Sequence, residues 1–228
     1  MKIISLYILF LTIFSTEPTP FEKAQKLYNE GSFDKARVIF KSLVEKNPKD
    51  LRSIEFLGDI ESQDKNWDKA LEYFKELKDF KPSEADYHYK YGGALGMKAK
   101  ESNKFKALGM IDDIESSFKK AIVLNPKHIG SRWALIELYL QLPAIVGGSE
   151  KKAQLYADEL MKIEKVDGYL SKGHIDEYFQ RYQNAEKFYL KAHQLGNSKT
   201  TFNKLYQLYK NKMRQPEKAA HLQRQFKK

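Results

Sequence analysis

A period of 34 residues constrains this chain more than any single residue does. Ala36, Phe40 and Pro48 recur as Ala70, Phe74 and Pro82, and Ala24 recurs as Gly58 at the same offset. Such periods arise when a supersecondary unit too small to bury its own apolar face is stacked against copies of itself. Here the unit reads as a pair of helices. Thr19-Pro20-Phe21-Glu22 sets a hydroxyl cap, a proline at the first helical position and a glutamate three residues after the cap, which together satisfy the free amides of a helix start. That helix runs to a turn at Gly31-Ser32. A second carries Ala36, Phe40 and Leu43 on one face until Pro48 stops it. The expected fold is all-α, one solenoid of antiparallel helix pairs, for which length is no guide to domain count. With 42% hydrophobic residues, 31% charged residues, 14 Tyr and 14 Phe, the chain has material for a folded core.

With Ala24, Gly31, Phe33, Ala36, Phe40 and Pro48 in the first unit and Leu57, Gly58, Trp67, Ala70, Phe74 and Pro82 in the second, the chain resembles the tetratricopeptide repeat (TPR) family. The resemblance implies a right-handed superhelical solenoid of five to six repeats. In this register the units span 17–50, 51–84, 85–128, 129–165, 166–199 and a capping unit 200–228. Lys65 stands where the turn glycine is usual. The third unit keeps Tyr91, Gly92, Leu95, Phe118, Ala121 and Pro126, but Pro82 to Pro126 is 44 residues, so an insertion is assigned to 97–113 between its two helices. The fourth shows Leu135, Tyr139, Ala153, Ala157 and Leu160, with a turn lengthened by 143–148 and Ser149 as the next cap. The fifth has Gly173, Tyr182, Ala185, Tyr189 and Ala192, and the sixth Leu205, Tyr209 and Ala219.

Residues 1–16 read as a signal peptide: Met1-Lys2, the 12 uncharged residues Ile3 to Phe14, then Ser15 and Thr16. The run is short for a membrane span, which needs about 18 apolar residues. Export to the periplasm or beyond is expected, and an uncleaved membrane anchor is the alternative. The net charge of +10 is concentrated near the end, where residues 199–228 hold nine Lys and Arg against Glu217 alone. That end is either a solvated cap or an anionic contact surface, and nucleic acid is not expected as the anion of an exported protein.

Nothing in the sequence supports catalysis or a cofactor. Cysteine is absent, and His88, His128, His174, His193 and His221 are scattered without a metal-binding spacing, so neither a zinc site nor a thiol nucleophile is expected. His174 and Glu177 fit an ion-paired helix face better than a ligand pair. Gly147-Gly148 lacks the Gly-Lys-Ser/Thr of a phosphate loop and reads as a flexible turn. A protein or peptide is therefore the expected partner, with no small-molecule substrate.

The TPR resemblance implies that the first helix of each pair lines a concave groove. It places Arg52, Glu55, Asp59, Tyr89, Trp133, Glu137, Gln141, Leu170, His174, Glu177 and Tyr178 there, a mixture of aromatic and acidic groups suited to a peptide with basic and apolar anchors. For Tyr89 and Trp133, packing between repeats is the competing role. The Lys and Asn of the family's carboxylate clamp are missing, since Glu55/Asp59 and Trp133/Glu137 occupy the matched positions. Met97, Phe105, Leu108, Met110 and Ile111, set among lysines, make the third-unit insertion amphipathic. It is read as extra helix packed on the solenoid, as a docking surface, or as a membrane contact.

Overall fold

The computed structural model of the protein describes residues 17–226, so the signal-like segment 1–16 lies outside the described residues. The first pair is α1 (Pro20–Asn29) and α2 (Phe33–Lys46), and the second is α3 (Leu51–Gln63) and α4 (Trp67–Phe80). The third pair, α5 (Ala85–Glu101) and α7 (Ile111–Leu124), has the short α6 (Lys104–Leu108) between its members. Then follow α8 (Ile129–Gln141) with α9 (Glu150–Ile163), α10 (Lys165–Tyr178) with α11 (Tyr182–Gly196), and α12 (Lys199–Gln207) with α13 (Pro216–Phe226). A 3₁₀ turn, Ala144–Val146, joins α8 to α9, and a π-helical turn, Leu208–Lys212, extends α12. The architecture is an all-α helical repeat in which successive pairs stack.

The helix starts follow from the caps. Thr19 Oγ1 accepts from the Glu22 amide at 3.2 Å, and Glu22 Oε2 accepts from the Thr19 amide at 2.7 Å, closing the capping box. Ser149 caps α9 by accepting from the Lys152 amide. His128 caps α8: its Nδ1 accepts from the Ser131 amide at 3.0 Å, which puts the ring proton on Nε2, 2.9 Å from Asp86 Oδ1.

Within pairs, the repeat's small residues mark where helices meet. A methyl group on Gly58 would lie 2.5 Å from the Phe74 ring, and one on Gly173 would lie 2.5 Å from the Tyr189 ring. The aromatic ring of the second helix approaches the backbone of the first closely at both glycines. Between pairs, Phe40 stacks on Phe56 at 4.8 Å and Phe21 meets both edge-on. Trp67 Nε1 donates to Glu101 and Trp133 Nε1 to Asp167, each across 34 residues, so both indoles tie one unit to the next.

The turn inside each pair explains where the period holds. Gly31 adopts φ 75°, and Lys65, Gln180 and Arg214, its counterparts in units two, five and six, adopt 59°, 60° and 54°. Behind the first three, the following amide reaches back five residues: Ser32 to Leu27, Asn66 to Glu61 and Arg181 to Asp176, each at 2.8 Å. This left-handed ending satisfies the last carbonyls of the first helix. In unit six the π-helical turn adds one residue, and Gln215 reaches Tyr209 instead. In the third unit, Ala99 stands 34 residues after Lys65, and α5 runs straight through it to Glu101. Alanine is the strongest helix former and disfavours the left-handed region, and the helix does not turn there. Met97 to Glu101, assigned to the insertion from sequence, therefore belong to α5. The 143–148 segment also differs from a flexible turn, since Val146 and Gly148 both donate to the Pro143 carbonyl, at 3.0 and 3.1 Å.

Candidate functional site

The first helices of the pairs, α1, α3, α5, α8, α10 and α12, are joined by side chains that reach from one to the next. Arg52 of α3 lies 3.9 Å above the Phe21 ring of α1. Lys90 of α5 places Nζ 2.9 Å from Glu55 and 2.6 Å from Asp59 of α3. Burial opposes the charge on Lys90, but the two carboxylates outweigh it and leave its pKa above the ordinary lysine value. Burial pushes Asp59 upward as well, against the pull of Lys90 and with the like charge of Glu55 adding to it.

Farther along, Glu137 of α8 lies 2.6 Å from His174 Nε2 of α10, a close contact without the alignment of a hydrogen bond. The His174 contact, stronger than the opposing desolvation, holds the Glu137 carboxyl below the usual range, and Gln141 donates to the same side chain at 3.0 Å. Glu177 accepts the Tyr189 hydroxyl at 2.8 Å. Arg52, Gln141 and Tyr178 are exposed, whereas Glu55, Asp59, Glu137, His174 and Glu177 are half-buried.

Three assignments to the groove need correcting. Leu170 is only 6% exposed and sits in the core with Ala185, Tyr189 and Leu205, because its side chain points toward α11 and α12. Tyr89 packs between repeats, its ring centroid 5.0 Å from that of His128 and 5.9 Å from that of Phe118. Trp133, with its indole bonded to Asp167, packs there too. The carboxylates are also committed to partners within the protein, so the expectation of a basic peptide loses its support.

Lys90 was missed as the hub of the Glu55/Asp59 cluster. It lies 34 residues after Phe56, an apolar position, and a lysine breaking an apolar register was the available signal. Lys204 and Lys212 were grouped only with the basic terminus. They line a cleft of about 340 Å³ with His174, Glu177, Tyr178, Gln180 and Tyr182, so part of the basic end faces the end of the first-helix surface.

Of the insertion residues, Met97, Phe105 and Leu108 are exposed, Phe105 at 88%. Met110 and Ile111 are partly buried, Met110 against the core that contains Leu95 and Phe118. Among the described residues no group of three or more His, Cys, Asp or Glu is placed to hold a metal ion, and no helix is long and apolar enough to cross a membrane.

No family model matches the sequence, and no curated protein matches it. Solved structures do. The chain is similar to TTC0263, a thermophilic TPR protein of Thermus thermophilus, with a TM-score of 0.65 and 19% identity over 79% of this chain and 92% of that one. The fold is that of a TPR solenoid. A TPR protein from Parabacteroides merdae agrees, with a TM-score of 0.61 and 15% identity over 89% of this chain and 75% of that one. So does YrrB, a TPR protein with an unusual peptide-binding site, with a TM-score of 0.52 and 13% identity over 80% of this chain and 87% of that one. At these identities the likeness carries the TPR fold and leaves function to this chain's own residues.

Proposed function

We propose that this chain is a non-enzymatic TPR scaffold that holds a protein or peptide segment against the face formed by its first helices. The observation that carries the reading is the cleft at the end of that face, where exposed Tyr178 lies with Lys204 and Lys212 above half-buried His174 and Glu177. An aromatic side chain supplies contact area at low entropic cost and the lysines supply orientation, which suits a segment with an apolar anchor beside an acidic residue. The exposed Arg52 and Gln141 extend the same surface. That YrrB, a TPR protein, has a peptide-binding site supports a peptide as the class of partner.

The test uses immobilised protein as bait in envelope extracts and compares it with a Tyr178→Ala/Lys204→Glu variant. Recovery of a discrete partner is expected to fall at least about tenfold, the effect of roughly 1.4 kcal/mol, with the helical circular dichroism unchanged. Equal recovery by both proteins would reject the first-helix face.

Export belongs to the same proposal, supported by Met1-Lys2 and the uncharged run Ile3 to Phe14. N-terminal sequencing of the native protein is expected to begin near Thr16 to Thr19. An intact Met1 would replace the free exported scaffold with a tethered one.

A further inference from the structure

The two departures from the repeat, far apart in sequence, meet in space. The overrun of α5, the short α6 and the start of α7 form one side of an open cleft of about 490 Å³, and the end of α8 with the 142–146 turn forms the other. Both insertions lie in the turn between the first and second helix of adjacent units, and those turns fall on the same edge of a stack. Leu108, Ile111, Ile114, Leu138, Leu142 and Val146 are the large aliphatic side chains of its lining.

We propose that this cleft is a second docking site, which takes an amphipathic helical segment of a partner protein with an aliphatic face flanked by acidic residues. The site has no lining residue in common with the Tyr178 cleft, and of the residues assigned to the first-helix face it includes Gln141 alone.

The wall of the cleft is built in advance. Ser149 donates to the Tyr139 carbonyl at 3.0 Å and Gly148 to Pro143 at 3.1 Å. A Cβ on Gly148 would lie 1.8 Å from the Leu142 carbonyl oxygen, so the tight return of the chain requires glycine. Pro143 and Val146 are thereby held against the cleft, and little ordering entropy remains to be lost on binding. Beside the lining, Phe105 is 88% exposed and Ile145 is 93% exposed. Apolar side chains gathered at one edge mark an interaction surface.

Charge selects the partner. Lys100 and Lys104 line the cleft. Lys98, two residues before Lys100, is paired with Asp68, and Glu101 is taken by the Trp67 indole at 2.8 Å. Among the described residues neither Lys100 nor Lys104 has a carboxylate within 4.0 Å. Two uncompensated ammonium groups beside an aliphatic cleft call for acidic groups flanking an aliphatic surface.

The shape of the cleft selects the form. It is open along one side, so a lone alkyl chain would leave part of its surface in water. An extended peptide would bring unpaired backbone groups against walls whose one neutral polar side chain is Gln141. A helix satisfies its backbone internally, inserts side chains at i, i+3, i+4 and i+7, and can cover the neighbouring exposed apolar groups.

The experiment uses the full chain and a fluorescein-labelled, helix-forming Leu/Glu peptide of about 18 residues, or about five turns. Its Leu/Lys counterpart and dodecanoate serve as comparison probes. Saturable binding of the Leu/Glu peptide is expected by fluorescence anisotropy, with the Leu/Lys peptide at least about tenfold weaker. Methyl NMR shifts are expected at Ile111, Leu138, Leu142 and Val146. Lys100→Glu/Lys104→Glu changes two exposed side chains and should reverse the preference between the peptides. Ala107→Trp should abolish the methyl shifts at these four residues, while Tyr178→Ala/Lys204→Glu, which disables the other cleft, should leave those shifts in place, which separates this site from the first-helix face. The proposal is overturned by absence of saturable binding, by a preference indifferent to the lysine reversal, by shifts confined to the first-helix face, or by binding of dodecanoate without the peptide.

Discussion

Replacing Tyr189 by alanine is expected to lower the unfolding free energy by about 3–5 kcal/mol, the cost of deleting a buried aromatic ring and leaving its cavity. Tyr189 of α11 is fully buried with its ring close against Gly173 of α10, and its hydroxyl donates to Glu177 at 2.8 Å. The vacated space is refilled only in part, because Gly173 has no side chain and the neighbouring Ala185 and Ala192 are small. Tyr189→Phe removes only the hydroxyl and should cost about 1 kcal/mol, since Glu177 retains access to water. Urea denaturation followed by circular dichroism measures both. Gly173→Ala sharpens the test: its methyl meets the ring at 2.5 Å in the native background, which should cost about 1–3 kcal/mol, but in the Tyr189→Ala background it enters the vacated space. Additive losses in the double variant, or a loss below about 1 kcal/mol for Tyr189→Ala, would contradict the close approach of these two helices.

The same contact shows what could be read from sequence. Gly58 with Phe74, and Gly173 with Tyr189, recur at fixed separations because one helix must admit the ring of the other, so the period reports packing directly. Turn geometry was less legible. Lys65, Gln180 and Arg214 share the left-handed conformation of Gly31 without sharing its chemistry, and the stacked pairs impose that conformation on residues that do not favour it. Ala99 gave no clearer signal, since lysine, glutamine and arginine favour a helix nearly as well as alanine does, yet α5 alone runs on through this position. Among the candidate site residues, Arg52, Glu55, Asp59, Glu137, His174, Glu177 and Tyr178 do lie on the first-helix surface, but nothing in their spacing revealed that Lys90 and Tyr189 engage the carboxylates. Leu170 was misplaced because a helix turns 100° per residue, so a shift of one position exchanges groove for core. The two insertions were visible separately. Their meeting follows only when both are assigned to the same turn of adjacent pairs.

Alkaline unfolding should be unusually steep. Tyr139, Tyr189 and Tyr209 are each at most 5% exposed, and their hydroxyls donate to Glu115, Glu177 and Glu186 at 2.8, 2.8 and 2.9 Å. Burial, and then the adjacent carboxylate, drives all three phenols far above their ordinary value. The folded state therefore holds these groups neutral, while the unfolded chain ionises them near pH 10. Their contribution is fully present below that pH and is lost as pH rises from there toward the folded values. Each such group adds a slope of about 1.4 kcal/mol per pH unit, so the three together give up to about 4 kcal/mol per unit. Lys90, whose pKa is also raised in the fold, acts in the same direction and the same window. Stability against urea should thus be nearly flat from about pH 8 to about pH 9.5 and fall sharply above roughly pH 10.5. Phenolate absorbance gives an independent reading: Tyr139, Tyr189 and Tyr209 should ionise only in the cooperative step that melts the helices. Tyr209→Phe should remove about a third of the slope contributed by the tyrosines. Ionisation of Tyr139, Tyr189 and Tyr209 near pH 10, with helicity intact, would show that these hydroxyls are not held by the neighbouring carboxylates.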